Sequence, residues 1–192
     1  GSLLQYTIEE LKDNIDIAKI ALENDGSSLE YASDNIKNNK ELVEIALKQN
    51  GGALAYAGDN FKNNRELVAL AMDDFQNAFQ HASDEIKSDK KFVLESMSKG
   101  KSFLNYVPVE LQKDKDVVYS AIKNNGLELQ YADEKFKKDK ELVLLAINQN
   151  WSSYKFADNN LQKDKDVLSV LENNEEYIRE ENVKKIHSNI KR

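Results

Sequence analysis

Tyr31-Ala32-Ser33-Asp34-Asn35-Ile36-Lys37-Asn38-Asn39 returns 25 positions later as Tyr56-Ala57-Gly58-Asp59-Asn60-Phe61-Lys62-Asn63-Asn64. Outward from this pair the frame continues in both directions without insertion or deletion. Tyr6, Tyr31, Tyr56, His81, Tyr106, Tyr131 and Phe156 fall in one column, and Leu11, Ile36, Phe61, Ile86, Leu111, Phe136, Leu161 and Ile186 in another. A fixed period of this length is the signature of a repeat architecture. It predicts an all-α solenoid of about seven to eight 25-residue repeats, at 1–25, 26–50, 51–75, 76–100, 101–125, 126–150 and 151–175, with a C-terminal cap at 176–192. The whole of 1–192 then forms a single helical-repeat domain.

Each unit reads as a short helix, a helical turn and a longer helix. In the unit 26–50, Leu42, Val43, Ile45, Ala46 and Leu47 carry the longest apolar pattern, bounded by Asn39 in front and by Asn50-Gly51 behind. Asn39, Asn64, Asp89, Asp114, Asp139 and Asp164 stand where a side chain can accept the free N–H groups of a first turn. Gly51 suits a left-handed residue after the last turn. Ahead of the long helix, Leu29, Tyr31, Ala32 and Ile36 are apolar, with Ser33 as the break between two short pieces and Pro108 at its place in the fifth unit. Helices this short are marginal alone, so stacking must stabilise them. Val43/Val68/Val93/Val118/Val143 and Ala46/Ala71/Ser96/Ala121/Ala146 are the expected stacked core, and the tyrosine column is expected to be mostly buried as a ladder between units.

Composition agrees. Hydrophobic residues make up 40% and charged residues 32%, while one proline and seven glycines leave little material for a turn-rich β fold. The absence of cysteine excludes disulfides and thiolate sites. No apolar run reaches the roughly 18 residues of a membrane span, and the chain reads as soluble, cytoplasmic or otherwise. Gly1 and Ser2 look like a remnant of tag cleavage. The net charge of −7 disfavours generic attraction to nucleic acid or anionic lipid.

The pattern Leu-x-Tyr-Ala-x-x-x-Ile/Phe-Lys-x-Asp/Asn-Lys-Glu-Leu-Val-x-x-Ala-Ile/Leu-x-x-Asn-Gly resembles the repeat of the family domain of unknown function 4116, over essentially the whole chain. The resemblance implies helical repeats in bacterial and protist proteins, and no activity or functional residue. The unit is also similar in rhythm to the leucine-rich repeat variant, which alternates α and 3₁₀ helices.

Chemistry-bearing patterns are scarce. His81 and His187 have no second histidine or cysteine nearby, so no metal site is expected, and no catalytic residue or cofactor is assigned. Carboxylate pairs such as Asp73-Asp74 and Glu175-Glu176 read as hydrophilic helix ends. Two features depart from this background. In the column of Glu44, Leu94, Tyr119 and Leu144 form an apolar stripe expected to bind a partner. The second feature is a lysine edge, Lys87, Lys113, Lys115, Lys137, Lys138, Lys140, Lys163 and Lys165, extended by Lys90 and Lys91. Asp89, Asp114, Asp139 and Asp164 interleave with it. The expected function is a non-catalytic scaffold that binds a protein partner. The alternative is nucleic-acid or polyanion binding through the lysine edge, and an enzyme would need a site made wholly by tertiary convergence.

The ends of the array differ. Polar Glu172, Arg179 and Glu181 replace core columns at the C-terminus, as a cap requires. Leu4, Tyr6, Leu11, Ile17, Ala21 and Leu22 keep internal-type residues, so the first unit is expected to present an apolar face that an upstream segment or another chain would cover, and to open more readily than units three to five.

Overall fold

The computed structural model describes residues 12–175 and 177–179. Tyr6, Leu11, Glu181, Ile186, His187 and the expected cap apart from 177–179 lie outside them, while Glu172 and Arg179 are exposed. The chain divides into two compact units, Gly1–Ser96 and Met97–Arg192. Among the described residues every regular element is helical, and within each unit the 25-residue repeats stack as an all-α solenoid.

Long helices mark the period: α1 (Ile15–Asn24), α2 (Lys40–Gln49), α3 (Arg65–Asp74) and α4 (Lys90–Ser98), then α5 (Lys115–Asn124), α6 (Lys140–Gln149) and α7 (Lys165–Glu172). From α2 onward each is preceded by a short piece, an α-turn such as Asp34–Lys37 or Glu134–Lys137, or a 3₁₀ turn at Leu161–Lys163. Ahead of that lies a six-residue 3₁₀ helix, at Gly26–Tyr31, Gly51–Tyr56, Gln76–His81, Gly126–Tyr131 and Trp151–Phe156, reduced in the fifth repeat to Leu104–Tyr106.

Capping sets these boundaries. Asn39 Oδ1 accepts from Leu42 N, Asn64 from Glu66 N and Leu67 N, and Asp89 from Phe92 N. Asp114, Asp139 and Asp164 repeat the arrangement at α5, α6 and α7. Such a cap is worth about 1 kcal/mol. A second polar column starts the 3₁₀ helices. Asp25, Asn50, Asn125 and Asn150 each accept from the N–H two residues on, at 2.9–3.1 Å.

Gly51 does not end α2 as a left-handed residue. The residue after α2 is Asn50 in extended conformation, and among the described residues only Gly100 has a positive φ, at 84°. Gly51 is required for close approach instead. A Cβ there would lie 2.0 Å from the carbonyl oxygen of Ala71 in the next repeat, and Gly26 and Gly126 meet Ala46 and Ala146 in the same way at 2.2 and 2.1 Å. The start of one 3₁₀ helix thus rests on the last turn of the following long helix.

The core follows the helical period. α2 buries Leu42, Val43, Ala46 and Leu47, one face of two turns. The valine column from Val43 to Val143 and the small column Ala46, Ala71, Ser96, Ala121 and Ala146 are buried throughout. Leu29, Leu54, Phe79, Leu104 and Leu129 are fully buried, and each such side chain contributes about 1.5–3 kcal/mol of burial. These leucine-type residues, two positions before the tyrosines, form the inner column. The tyrosines do not. Tyr56 is 37% and Tyr131 39% exposed, with Tyr31, His81, Tyr106 and Phe156 half-buried. A phenol keeps its polar end in water when a column lies at the rim.

Adjacent repeats are also joined through the backbone. Ser33, Gly58 and Ser83 donate to the carbonyls of Lys12, Lys37 and Lys62 in the first unit, and Asp133 and Asp158 to those of Gln112 and Lys137 in the second, at 2.9–3.3 Å. Pro108 stands in this column and has no N–H to donate. It serves as the residue before the short helix Val109–Gln112.

Candidate functional site

On α5, Lys115 and Tyr119 are four residues apart and share a face. α6 packs against α5 and begins at the Asp139 cap, which places Glu141, Leu142 and Leu145 opposite them. Between the helices lies an open cleft of about 310 Å³, lined by Lys115, Tyr119, Asp139, Glu141, Leu142 and Leu145. Tyr119 is 48% exposed at the middle of a helix. Leu142 is buried and Leu145 half-buried, so the cleft has an apolar floor and a charged rim.

Of the expected stripe, Tyr119 and Leu144 lie in the second unit and Leu94 in the first. Leu94 and Leu144 are half-buried. The residue that joins Tyr119 at the cleft is Leu145 rather than Leu144. Its column runs Ile20, Ile45, Leu70, Glu95, Ser120, Leu145 and Val170, and that mixed run concealed it in the sequence.

The lysine edge does not act as one set. Lys140 is held by Asp164 at 2.8 Å and Asp166 at 2.6 Å, and these hydrogen-bonded partners raise its pKa while lowering that of Asp164. Lys137 pairs with Glu134 at 2.8 Å, and Lys91 with Glu95 at 3.8 Å. Lys113, Lys138 and Lys163 are exposed, as are Lys115 and Lys165, while Lys87 is half-buried. The interleaved aspartates point into helix N-termini, where they cap.

His81 is half-buried, and burial first, then the charges of Lys62 and Lys87, push its pKa down. Among the described residues no group of three or more His, Asp or Glu is placed to hold a metal ion. A second cleft, of about 340 Å³, lies in the first unit between Lys37, Asn38, Tyr56 and Gly58, with Asp34 and Asp59 at its margin.

One site residue went unread in the sequence. Glu128 is 6% exposed, in a column otherwise held by Ser28, Ala53, Ala78, Phe103 and Ser153. Its carboxylate accepts from Leu104 N at 2.7 Å and from the Ser102 hydroxyl. Just ahead of the fifth repeat Gly100 occupies the position of the 3₁₀ cap and has no side chain to accept from that segment. Glu128, reaching back from the sixth repeat, supplies the acceptor. Burial raises its pKa, against the opposing pull of these hydrogen bonds. The signal was an acid in a column of mostly small residues.

The repeat geometry coincides with a known family boundary. The family Domain of unknown function (DUF4116) matches residues 1–37, 14–62, 39–73, 64–112 and 114–162. The chain belongs to this family. Three of the DUF4116 matches begin 50 residues apart, at Asn14, Asn64 and Asp114, and a fourth begins at Asn39. All four are caps of long helices. Matches of 14–62, 64–112 and 114–162 therefore each contain two of the 25-residue repeats. No curated protein and no solved structure matches the chain.

Proposed function

We infer that this DUF4116 chain is a non-catalytic helical-repeat scaffold that binds a protein partner, through the α5–α6 face of its second unit. The observation that carries the reading is Tyr119, a half-exposed aromatic at the centre of a long helix beside a cleft floored by Leu142 and Leu145. Aromatic anchors next to apolar pockets dominate protein interfaces, and a charged rim excludes water around them. Lys115 at one side and Asp139 and Glu141 at the other give the rim both signs, which suits a peptide of mixed charge. The pairing of Lys137 and Lys140 with carboxylates weakens the competing reading in which the whole lysine edge binds a polyanion.

The test is photo-cross-linking in native extract with a benzophenone side chain at position 119, and at exposed Lys48 of the first unit as control. A protein captured from position 119 alone, competed off by added wild-type chain and at least tenfold less well by Tyr119→Glu, supports the reading. Competition by Tyr119→Glu as strong as that by the wild-type chain, or capture that disappears only as salt rises, sinks it.

A further inference from the structure

The acidic excess of this chain is confined to one half. The first unit carries 10 Lys/Arg against 18 Asp/Glu, a balance of −8, and the second 17 against 16, a balance of +1, which together make −7. The net charge that disfavours polyanions therefore does not describe the second unit. There the column that reads Asn38, Asn63 and Ser88 in the first unit becomes Lys113, Lys138 and Lys163. All three are exposed, and among the described residues no carboxylate lies within ion-pair distance of them.

The acids next to these lysines in sequence, Asp114, Asp139 and Asp164, accept from the N–H groups of the helices they cap. Asp133 Oδ1 accepts from Lys135 N, Asp158 Oδ1 from Asn160 N, and Glu134 pairs with Lys137, while Glu110, Asp116 and Glu141, each three residues from a lysine of the row, are exposed. The lysines follow one another at one per repeat, about 10 Å apart at the usual spacing of packed helices.

The tyrosine column runs along the same edge. In the first unit Asn38 of one repeat and Tyr56 of the next line a single cleft. The 25-residue register puts Lys113 and Tyr131 in that relation, and Lys138 and Phe156. The Lys135 ammonium bonding to Lys113 O at 2.8 Å, from four residues past Tyr131, holds the two repeats together at this place. Tyr131 is 39% exposed, with its ring available at the rim.

The Phe156 ring is half-buried under the Lys155 ammonium at 5.0 Å, so Tyr131 is the exposed ring beside the row. A row of cations beside an exposed ring suits a single-stranded nucleic acid, phosphates on the lysines and a base on the ring. We propose that the Lys113/Lys138/Lys163 row with Tyr131 is a binding edge for single-stranded nucleic acid, separate from the Tyr119 cleft.

The test is fluorescence anisotropy of the whole chain with labelled ten-nucleotide oligo-dT and oligo-U, at salt from 50 to 200 mM. With three phosphates neutralised the affinity falls about 20-fold across this range, a logarithmic slope of about −2. The variant Lys113→Asn/Lys138→Asn/Lys163→Ser copies the first unit's residues, and circular dichroism checks that it folds. It is expected to remove that slope and the binding with it. Tyr131→Leu weakens binding about tenfold, as loss of one base stack does, and Tyr131→Phe does not. A preference for oligo-U over oligo-dT, or the reverse, names the sugar and supports the edge equally. Absence of binding to both oligonucleotides at 50 mM salt overturns the proposal. So does binding indifferent to the lysine replacements, or equal affinity for inorganic polyphosphate with no effect of Tyr131→Leu, which marks a general anion surface.

Discussion

Glu128 is a charge placed where burial is costly, and its two hydrogen bonds determine what replacing it does. Removing the acceptor leaves Leu104 N–H buried and unpaired, a loss of about 1–3 kcal/mol. Glu128→Ala is therefore expected to lower the unfolding free energy read from urea melts at pH 7 by that amount. Glu128→Gln keeps an oxygen for Leu104 and removes the buried charge. Because burial raises the folded pKa above the ordinary glutamate value near 4.5, the folded state holds its proton more tightly than the unfolded state. The associated stability is present below pH 4.5 and is lost as pH rises through the folded pKa. Urea melts between pH 4 and pH 8 are thus expected to show a downward contribution in the wild type that Glu128→Gln lacks. Equal pH dependence of the two proteins would mean that Glu128 titrates as an exposed acid. Gly51 makes a complementary case at the same scale. Its missing Cβ would meet the Ala71 carbonyl oxygen at 2.0 Å, whereas that of Gly52 would meet the movable Asn50 amide at 3.0 Å. Gly51→Ala is expected to cost about 2–3 kcal/mol, in the range of overpacking, and Gly52→Ala less than 1 kcal/mol in the same melt.

Elements were legible in this sequence to the extent that each is fixed by its own residues. The caps at Asn39, Asn64, Asp89, Asp114, Asp139 and Asp164 were readable because a cap is a local event, a side-chain oxygen three residues ahead of an apolar stripe. The same holds for the valine and alanine columns. Gly51 was misread because an asparagine-glycine pair after a helix has two uses, and only the approach of the next repeat distinguishes them. The tyrosine column was misread because period alone says which residues share a column, not how deep the column lies. That depth depends on whether the inner place is already filled, here by Leu29, Leu54, Phe79, Leu104 and Leu129. At the candidate site, Tyr119 was visible as an aromatic in a polar column, while Leu145 needed the packing of α6 on α5. A cap offers a direct check on this local reading. Asp139→Ala removes the acceptor for Glu141 N and Leu142 N at the start of α6, and is expected to destabilise the protein by about 1 kcal/mol. Asp139→Asn, the residue type found at Asn39 and Asn64, should restore most of it in a denaturant melt.

At the scale of the whole molecule, stability in a stacked array depends on how many neighbours each repeat has. An internal long helix such as α2 packs between α1 and α3, and its residues Leu42 and Ala46 are buried as a result. In α1 the matching residues Ile17 and Ala21 are only half-buried, and Ile20 is 61% exposed where Ile45 is half-buried. Among the described residues α1 thus has a packed neighbour on one side. Repeat energetics are close to a sum of internal terms and nearest-neighbour interfaces, so a helix with one interface opens at lower free energy than a helix with two. α1 keeps its cap, Asn14 to Ile17 N at 3.1 Å, and a cap of about 1 kcal/mol does not replace a face of buried isoleucine and alanine. Hydrogen exchange is expected to show the α1 amides protected by several kcal/mol less than those of α2 and α3 in the same unit. A rise in α1 protection on Ile20→Lys would be expected if its exposed apolar face were drawing the helix into non-native contacts, and no change if the deficit is only the missing interface. Equal protection of α1, α2 and α3 would show that the first repeat is stable on one interface, and that the nearest-neighbour account does not govern this unit.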